Sequence, residues 1–364
     1  MATPVRNTRF VTPERLGILL LLIVAYGAIP VIGTGYLFDA ILTPFLALSL
    51  AAVGLNILTG YAGQVSLGSA AFLAVGAFAA FNFNLRVPGL PFVVSIVLAG
   101  LTAAAIGIVF GLPSLRLKGF YLAVSTLAAQ FFVQWALTKF SWFSNDNPSG
   151  VIDAPPLTLA GFAFTGPIGR YLFSLTIVVV ITFAVTRLIR SQTGRNFIAV
   201  RDHETAARVI GVPVLGTKLV AFGISSFIIG VAGVLWAFAY LRTVETGGFN
   251  IDRSFQILFI IIIGGLASLR GAFLGAAFIV VFPLILSRTG AALFGGVFDS
   301  GVLEMSQRIG IGALIILFLI LEPRGLSALV DRVWDWVRSK RAAALGGATP
   351  LSFSIRKLQP KGRT

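Results

Sequence analysis

Cysteine is absent from the sequence, and histidine occurs only once, at His203. A chain without cysteine forms neither disulfides nor thiolate metal sites, and a single histidine cannot build a multi-histidine metal site. The only acids near His203 are its sequence neighbours Asp202 and Glu204, so we interpret this histidine as a solvated loop residue. The residue inventory therefore predicts no metal site, no catalytic residue and no enzymatic activity.

Charged residues are also scarce in this chain. Only 11% of the 364 residues are charged, 57% are hydrophobic, and the mean hydropathy is +0.95. Soluble domains are about 25% charged and about 45–50% apolar. The composition excludes a soluble protein and predicts an integral membrane protein. Its spans are expected to be helices, because apolar runs of about 18 or more residues recur, and such runs cross a hydrocarbon layer of roughly 30 Å.

Ten apolar runs follow one another along the sequence. The eighth and ninth runs are short and flank "IGGLASLRG", so they form either two full spans or one broken, re-entrant pair. We therefore predict an all-α, polytopic transmembrane bundle of about ten spans, with eight as the lower limit. The runs are 16–33, 37–59, 61–83, 89–112, 119–138, 168–188, 218–241, 254–267, 272–286 and 308–321.

The basic residues are distributed unevenly between the predicted loops. The chain carries 28 Lys and Arg residues against 13 Asp and Glu residues, a net charge of +15. With ten spans and both termini on one side, that side carries the whole net charge, and Lys and Arg are retained on the cytoplasmic side of membranes. We expect both termini in the cytoplasm. The basic surface is expected to face anionic lipid and not nucleic acid, because the chain has no soluble basic face with interleaved aromatic residues.

This topology divides the chain into three parts. Residues 1–15 form a cytoplasmic N-terminal segment, and residues 16–325 form the transmembrane domain with a cytoplasmic loop at 189–217. Residues 326–364 begin with an apolar stripe that predicts an interfacial helix on the inner leaflet. The remainder of this tail lacks periodicity and is predicted to be disordered.

The most informative hydrophilic stretch is "RSQTGRNFIAVRDHETAARVIGVPVLGTK", residues 190–218. Asp202 is predicted to cap a short helix that Gly211 ends. The apolar face of this helix would consist of Ala206, Ala207 and Ile210. The helix either rests on lipid headgroups or docks in a groove of a cytoplasmic partner. "GVPVLGTK" is not a nucleotide-binding loop, because its Gly-Thr-Lys order differs from the required Gly-Lys-Ser/Thr.

The stretch "GYAGQVSLGSAAF", residues 60–72, interrupts an apolar region with glycines and polar side chains. It is predicted to reverse the chain between two crossings, because residues 37–83 would make roughly 70 Å of helix. Irregular backbone at membrane depth is tolerated only against protein or a water-filled cavity. The side chains expected to bond the freed backbone groups are Gln64, Ser66 and Ser69. The segment is either a tightly packed hairpin or part of a translocation path.

A second polar set lies in the fifth run, where Thr126, Gln130, Gln134 and Thr138 recur every four residues. This spacing places the four side chains along one side of a helix. Lipid cannot be what they face, so they either bond a neighbouring helix or line a neutral polar path suited to an amino acid zwitterion.

Four motifs resemble, in order and spacing, those of the permease subunits of branched-chain amino acid ABC importers, and more closely the LivM type than its partner permease. They are "GYAGQVSLGSAAFLAVGAFAA", "SQTGRNFIAVRDHETAARVIGV", "GGLASLRGAFLGA" and "LEPRGL". The resemblance runs from about residue 40 to residue 330. It implies an ABC importer permease fold and a place in the bacterial inner membrane.

The resemblance also implies partners and a coupling site. The expected partners are a second homologous permease, two cytoplasmic ATPase subunits and an external solute-binding protein. No cofactor is expected on this chain, because ATP and magnesium would bind to the ATPase subunits. The residues of the expected ATPase-coupling loop are Gly194, Arg195, Arg201, Asp202, Glu204, Ala206, Ala207 and Gly211.

The expected function is therefore the import of branched-chain or other hydrophobic amino acids. The outer loop "NDNPSGV" departs from the glycine-rich sequence of this family, and urea or an amide is the alternative solute. An autonomous channel or an ion-coupled carrier is an alternative of a different class. A carrier of that class would need ionisable residues deep in its spans, and almost none occur there.

Overall fold

The computed structural model describes residues 13–117, 119–147, 149–159, 162–294, 305, 309–310, 312–313, 316, 325–330 and 332. The α-helices are α1 (Pro13–Ile23), α2 (Ile29–Ile32), α3 (Thr43–Asn56), α4 (Ser69–Arg86), α5 (Phe92–Gly111), α6 (Phe120–Lys139), α7 (Pro167–Arg190), α8 (Gln192–Asp202), α9 (Glu204–Val209), α10 (Val214–Val234), α11 (Ile251–Gly264) and α12 (Leu269–Phe294). Short strands are β1 (Ile152–Asp153), β2 (Thr158–Leu159), β3 (Phe162–Ala163) and β4 (Thr243–Val244). The predicted all-α fold is confirmed.

Several helices continue through wider or tighter turns. The π-helical turns are Val24–Ala28 between α1 and α2, Leu37–Leu42 before α3, Ile57–Tyr61 after α3, and Leu235–Leu241 after α10. The 3₁₀ turns are Leu112–Leu115, Ser141–Ser144 and Thr246–Phe249. Because these turns extend the α-helices, the spanning segments are longer than the α-helical parts alone.

Seven helical segments of the described residues are long and apolar enough to cross a membrane. They are Leu37–Tyr61, Phe92–Gly111, Phe120–Lys139, Pro167–Arg190, Val214–Leu241, Thr246–Gly264 and Leu269–Leu286. A shorter apolar helix, Leu19–Ile32, occupies the first predicted run, and α4 occupies the third. Most of the tenth predicted run, 308–321, and of the predicted interfacial helix and tail lies outside the described residues. A polytopic helical bundle is thus confirmed, whereas the count of ten spans stays a prediction.

The eighth and ninth predicted runs form two separate helices. α11 has 14 residues, and with the preceding 3₁₀ turn it makes the 19-residue segment Thr246–Gly264, while α12 has 26 residues. They are joined by a turn in which Gly265 has a φ of 112° and Ala267 a φ of 57°. Gly325 packs into the same turn, since a Cβ built on it would lie 2.5 Å from the Gly265 nitrogen.

α10 lies at the centre of the bundle, where it packs against α3, α4 and α5. Glycine allows the close approach of α4 and α10. A Cβ on Gly76 would lie 2.1 Å from the Gly230 carbonyl oxygen, and one on Gly233 would lie 2.0 Å from the Leu73 carbonyl oxygen. Small residues let helix backbones approach closely in membranes, and Gly76 and Gly233 have this role here.

The two ends of the bundle differ in what they carry. At one end, Arg170 donates to both carboxylate oxygens of Asp39, at 2.9 and 3.1 Å, which joins α7 to the start of Leu37–Leu42. The same end holds the strands, with Ile152 of β1 opposite Val244 of β4. We call it the strand end. The opposite end carries α8, α9 and the turn between α11 and α12, and we call it the loop end.

Candidate functional site

Residues 62–68, between the π-helical turn Ile57–Tyr61 and α4, form the non-helical reversal segment. Gly63 has a φ of +69°, and a Cβ on it would lie 2.7 Å from Cγ of Arg201. A Cβ on Gly68 would lie 2.4 Å from the carbonyl oxygen of Thr126. Gly63 therefore serves the backbone conformation of this segment, and both glycines allow close packing.

The freed backbone groups of the reversal segment are bonded mainly from other helices. The Leu67 N–H donates to Oγ1 of Thr126 at 2.9 Å, and the Ala70 N–H donates to Oγ of Ser254 at 2.8 Å. Ser66 does cap locally, because its hydroxyl accepts from the Gly68 N–H at 3.4 Å. The predicted caps were therefore only partly right.

Gln64 and Ser69 were expected to bond the reversal segment itself. Instead, Nε2 of Gln64 donates to the carbonyl oxygen of Lys218 on α10, at 3.4 Å. Ser69 is fully buried, and its hydroxyl has no hydrogen-bond partner among the described residues. Sequence reasoning missed Ser254, although a serine in a membrane-spanning segment is a signal for an inter-helix hydrogen bond.

The polar stripe of α6 faces the protein over its first half. Thr126 and Gln130 are each 1% exposed, Gln134 is half-buried, and Thr138 is exposed. Nε2 of Gln130 donates to the Phe249 carbonyl oxygen at 3.0 Å, and its Oε1 accepts from Ser254 at 3.3 Å.

Gln130 and Gln134 also border a shallow cavity between α4, α6 and the turn Thr246–Phe249. Its lining consists of Ala71, Ala74, Gln130, Val133, Gln134, Leu137, Thr246 and Phe249. The lining is apolar except for the two glutamines and one threonine. In this conformation the cavity is too small to hold a solute, since ligand pockets are about 300–1,000 Å³.

The loop between α7 and α10 folds into the two short helices α8 and α9. A Cβ on Gly194 would lie 2.2 Å from the Ile189 carbonyl oxygen, so the corner between α7 and α8 requires glycine. Arg195 closes the same corner by donating to the Arg190 carbonyl oxygen at 3.2 Å and to Gln192 at 2.6 Å.

The prediction that Asp202 caps a helix is wrong. α8 runs through Asp202, and the extended residue His203, with φ −153° and ψ 98°, precedes α9. Asp202 instead accepts a hydrogen bond from Nε of Arg201 at 2.9 Å. The chain leaves the helical conformation at His203, so α9 begins at Glu204. His203, and not Asp202, therefore occupies the position before the first turn of α9.

The predicted apolar face of α9 is also wrong. Ala207 is 2% exposed and packs against Val200 and Val214, inside the loop itself. Ala206 is exposed, Ile210 is 75% exposed and its neighbour Val209 is 84% exposed. α9 folds back against α8 and the start of α10, so Ala207 turns inward while the large apolar side chains turn outward.

Gly211 ends α9, as the sequence predicted, and it does so in a left-handed conformation. Its φ is +85°, its N–H donates to the Arg208 carbonyl oxygen, and the next N–H, of Val212, donates to Ala207 at 2.9 Å. This pattern satisfies the last carbonyl groups of the helix.

Two contacts join the α8–α9 loop to the reversal segment and to the π-helical turn that precedes it. Nη1 of Arg201 donates to the Gly60 carbonyl oxygen at 2.9 Å. Lys218 forms an ion pair with Glu204 of α9 at 3.2 Å, and the backbone of the same lysine accepts from Gln64. The loop end is thus connected through residues 60–68 to the polar stripe of α6.

Within the part of the chain that the structure describes, no three His, Cys, Asp or Glu residues are grouped closely enough to hold a metal ion.

Comparison with known proteins places these features in context. Residues 37–319 match a family model described as the permease component of a branched-chain amino acid transport system. The chain is 32% identical over 297 residues to the high-affinity branched-chain amino acid transport system permease protein LivM of Escherichia coli (strain K12), and the match covers 75% of this chain and 66% of that protein. The LivM protein of Salmonella typhimurium gives the same identity and coverage. The chain thus spans slightly less than two thirds of these relatives.

More distant similarity extends to other transport proteins. The L-arabinose transport system permease protein AraH of Escherichia coli (strain K12) is 25% identical over 279 residues, which cover 72% of this chain and 80% of that protein. Among solved structures, PsaBC from Streptococcus pneumoniae in complex with Fab is similar at 14% identity and a TM-score of 0.43, covering 83% of this chain and 97% of that one.

Proposed function

The chain belongs to the family of permease components of branched-chain amino acid transport systems, and on that basis we propose that it is the non-catalytic membrane subunit of an ATP-driven importer. Its solutes are branched-chain or other hydrophobic amino acids. It works in the bacterial inner membrane with a second homologous permease, two cytoplasmic ATPase subunits, which bind ATP and magnesium, and an external solute-binding protein. ATP hydrolysis by the partners changes the access of the solute path from outside to inside.

The observation that carries this proposal is the connection between the α8–α9 loop and the reversal segment. An ATPase that moves the loop also moves Arg201 and Lys218, which hold Gly60 and Gln64. From there the backbone leads directly to α4, and the Leu67 N–H donates to Thr126 of α6, the helix that bears Gln130. A loop that only rested on headgroups would not need two tertiary connections to a segment between spans.

The two ends of the bundle define the orientation of the chain in the membrane and the direction of the solute path. We place the loop end in the cytoplasm, because the basic residues of α7, α8 and α9 lie there and positive charge is retained inside. The strand end then faces outward. The cavity beside Gln130 and Gln134 is part of the solute path, it would have to widen for a solute to pass, and its lining side chains carry no charge.

Uptake by the reconstituted complex tests the proposal. The chain is co-expressed with the ATPase subunits, second permease and binding protein of its own organism, and placed in proteoliposomes with ATP inside or outside. Radiolabelled leucine, isoleucine and valine should accumulate only when ATP is on the side of the ATPase subunits. Accumulation without ATPase subunits would indicate a channel or carrier. Uptake of urea, an amide or arabinose, but of no amino acid, would show that the proposed class of solute is wrong.

Arg201→Ala tests the coupling step directly. The variant should retain the ATPase subunits and hydrolyse ATP, but import per ATP hydrolysed should fall by about tenfold, the effect of losing one hydrogen bond from a charged donor. Arg187→Ala is the matched control, because Arg187 is exposed at the end of α7 and only stacks on Phe183. Equal coupling ratios for both variants would mean that the Arg201 connection does not transmit movement.

A further inference from the structure

Arg253 is a half-buried cation in the first turn of α11, inside the apolar segment Thr246–Gly264. Its Cζ lies 4.1 Å from the ring centre of Trp236, a cation–π stack. Trp236 in turn lies 4.6 Å from the ring of Tyr240, and both aromatic residues belong to the π-helical turn Leu235–Leu241. Arginine in a spanning segment is costly and is normally paired or faces a polar pathway.

Arg253 forms no ion pair within the part of the chain that the structure describes. Among the described residues, its guanidinium donates only to the neutral Oε1 of Gln256. The adjacent Asp252 is exposed and forms no ion pair with it within the described chain. Among the described residues, the guanidinium of Arg253 therefore contacts an aromatic face and an amide directly, while the Asp252 carboxylate acts on it only from beyond ion-pair distance.

Two hydrogen-bond donors at this stack are unsatisfied. Nε of Arg253 and Nε1 of Trp236 are both buried, and neither has an acceptor among the residues that the structure describes. Each of these groups only donates, so the missing partner is an acceptor. More than about nine-tenths of buried polar groups in proteins are bonded, so two adjacent orphans indicate a site that is filled in another state. A cation–π contact explains the stack but leaves both N–H groups unpaired.

The chemistry of the donors selects the acceptor. A guanidinium pairs best with a planar anion that takes two parallel hydrogen bonds, and a carboxylate has that geometry. The stack lies near the strand end, because the turn before α11 follows β4, which pairs with β1. The next residue, Ser254, contacts Gln130 of the α6 stripe, so the stack adjoins the proposed path.

We propose that Arg253 and Trp236 form a carboxylate-binding site at the outer entrance of the path, and that it receives the carboxylate of the incoming amino acid. This inference rests on the proposed function for the identity of the solute. The site then distinguishes amino acids from neutral solutes of the same size by charge. The apolar cavity beside Gln130 then contacts the side chain of the solute.

Tryptophan fluorescence of the full chain in phosphatidylcholine nanodiscs tests the binding chemistry without relying on transport. Sodium acetate should change the emission in a saturable way, whereas acetamide and sodium chloride at equal ionic strength should not. Arg253→Gln should weaken acetate binding by about tenfold or more, as expected for a charged hydrogen-bonded pair. Equal responses to acetate and acetamide, or unchanged acetate binding in the variant, would overturn the site.

Two further variants keep the test decisive. Trp236→Phe keeps an aromatic ring beneath Arg253 but removes the Nε1 donor, so it should weaken acetate binding. This variant provides a test if Arg253→Gln does not fold. Unchanged acetate binding by Trp236→Phe would count against the site. Arg86→Gln is the matched control. Arg86 also stacks on a tryptophan at the strand end, with its Cζ 3.8 Å from the ring of Trp142, but it already donates to Asn82 and to the Trp142 carbonyl oxygen. This control should leave acetate binding unchanged.

A competition assay in the reconstituted complex identifies the source of the carboxylate. Wild-type leucine uptake should be inhibited by unlabelled leucine far more than by leucinamide, and Arg253→Gln should lower uptake and remove that difference. If Arg253→Gln abolishes acetate binding but leaves uptake and selectivity unchanged, the site does not bind the carboxylate of the solute. It then binds a carboxylate of a partner subunit. If the wild-type complex imports no amino acid, the proposed function fails while the acetate titration still decides whether the site exists.

Discussion

Thr126 shows what a single hydroxyl contributes to the reversal segment. It accepts the Leu67 N–H, a group that has left helical geometry and lies partly buried between helices. We expect Thr126→Val, which keeps the shape but removes the acceptor, to lower the free energy of unfolding by about 1–3 kcal/mol, the cost of an unsatisfied buried donor. Thermal unfolding of the chain in detergent measures this change.

Thr138 offers a matched control on the same helix. It is exposed, and its hydroxyl only donates back to the Gln134 carbonyl oxygen one turn earlier. Thr138→Val should change the stability by no more than about 0.5 kcal/mol, as for most surface substitutions. A similar loss in both variants would show that the Thr126 hydrogen bond has no special role.

At the scale of elements, α9 presents two large apolar side chains outward. Val209 and Ile210 are 84% and 75% exposed at the loop end, where an ATPase groove would receive them. The double variant Val209→Ser, Ile210→Ser should keep the chain inserted and stable but reduce co-purification of the ATPase subunits by about tenfold, because two apolar anchors of roughly 1 kcal/mol or more each are lost. Quantitative pull-down of the complex measures this effect.

The neighbouring positions sharpen this test of α9. Leu215→Ser serves as the control, since Leu215 is also exposed, at 51%, but belongs to α10. Ala207→Trp is a poor docking probe, because Ala207 packs against Val200 and Val214, and overpacking would unfold the loop. Wild-type retention of the ATPase by the double serine variant would place the docking surface elsewhere.

α6 permits a test of the solute path, because the chain contains no native cysteine. A cysteine replacing Gln134, which is half-buried beside the cavity, should react with a small polar thiol reagent several times faster than one replacing Phe131, which is exposed on the apolar side. A cysteine replacing Gln130 should react more slowly than one at 134, since Gln130 is 1% exposed. If the glutamine positions react no faster than positions 127 and 131, the stripe only packs against neighbouring helices.

The sequence predicted those features that depend on a single helix or turn. Hydropathy located most spanning helices, the four-residue spacing placed Thr126 and Gln130 on one side of α6, and Gly211 marked a helix end. Contacts between distant elements were not predictable in this way. The Ala70 N–H is capped by Ser254, a residue 184 positions away, and no local pattern encodes that pairing. The break at His203 and the inward turn of Ala207 likewise depend on how α9 packs against α8 and α10, because tertiary contacts override local preference in so short a helix.

At the scale of the whole molecule, the two ends of the bundle should lie on opposite sides of the membrane. A reporter fused at Ser144, in the strand-end turn Ser141–Ser144, should be external, and one fused at Gln192, the first residue of α8, should be internal. The reason is the retention of basic residues on the inner side. Alkaline phosphatase and green fluorescent protein fusions report the two compartments, and labelling of both sites from the same side would refute the proposed topology.

The ion pair between Asp39 and Arg170 also has a consequence for biogenesis. The two residues are 131 positions apart, so at a translation rate of about 5–20 residues per second the carboxylate is made on the order of ten seconds before the guanidinium. Arg170 is thus absent while α3 to α6 are synthesised, and we expect the Asp39 carboxylate to stay at the aqueous surface until Arg170 arrives. The pair can lock the bundle only after α7 has crossed, which makes it a late step of assembly in the living cell.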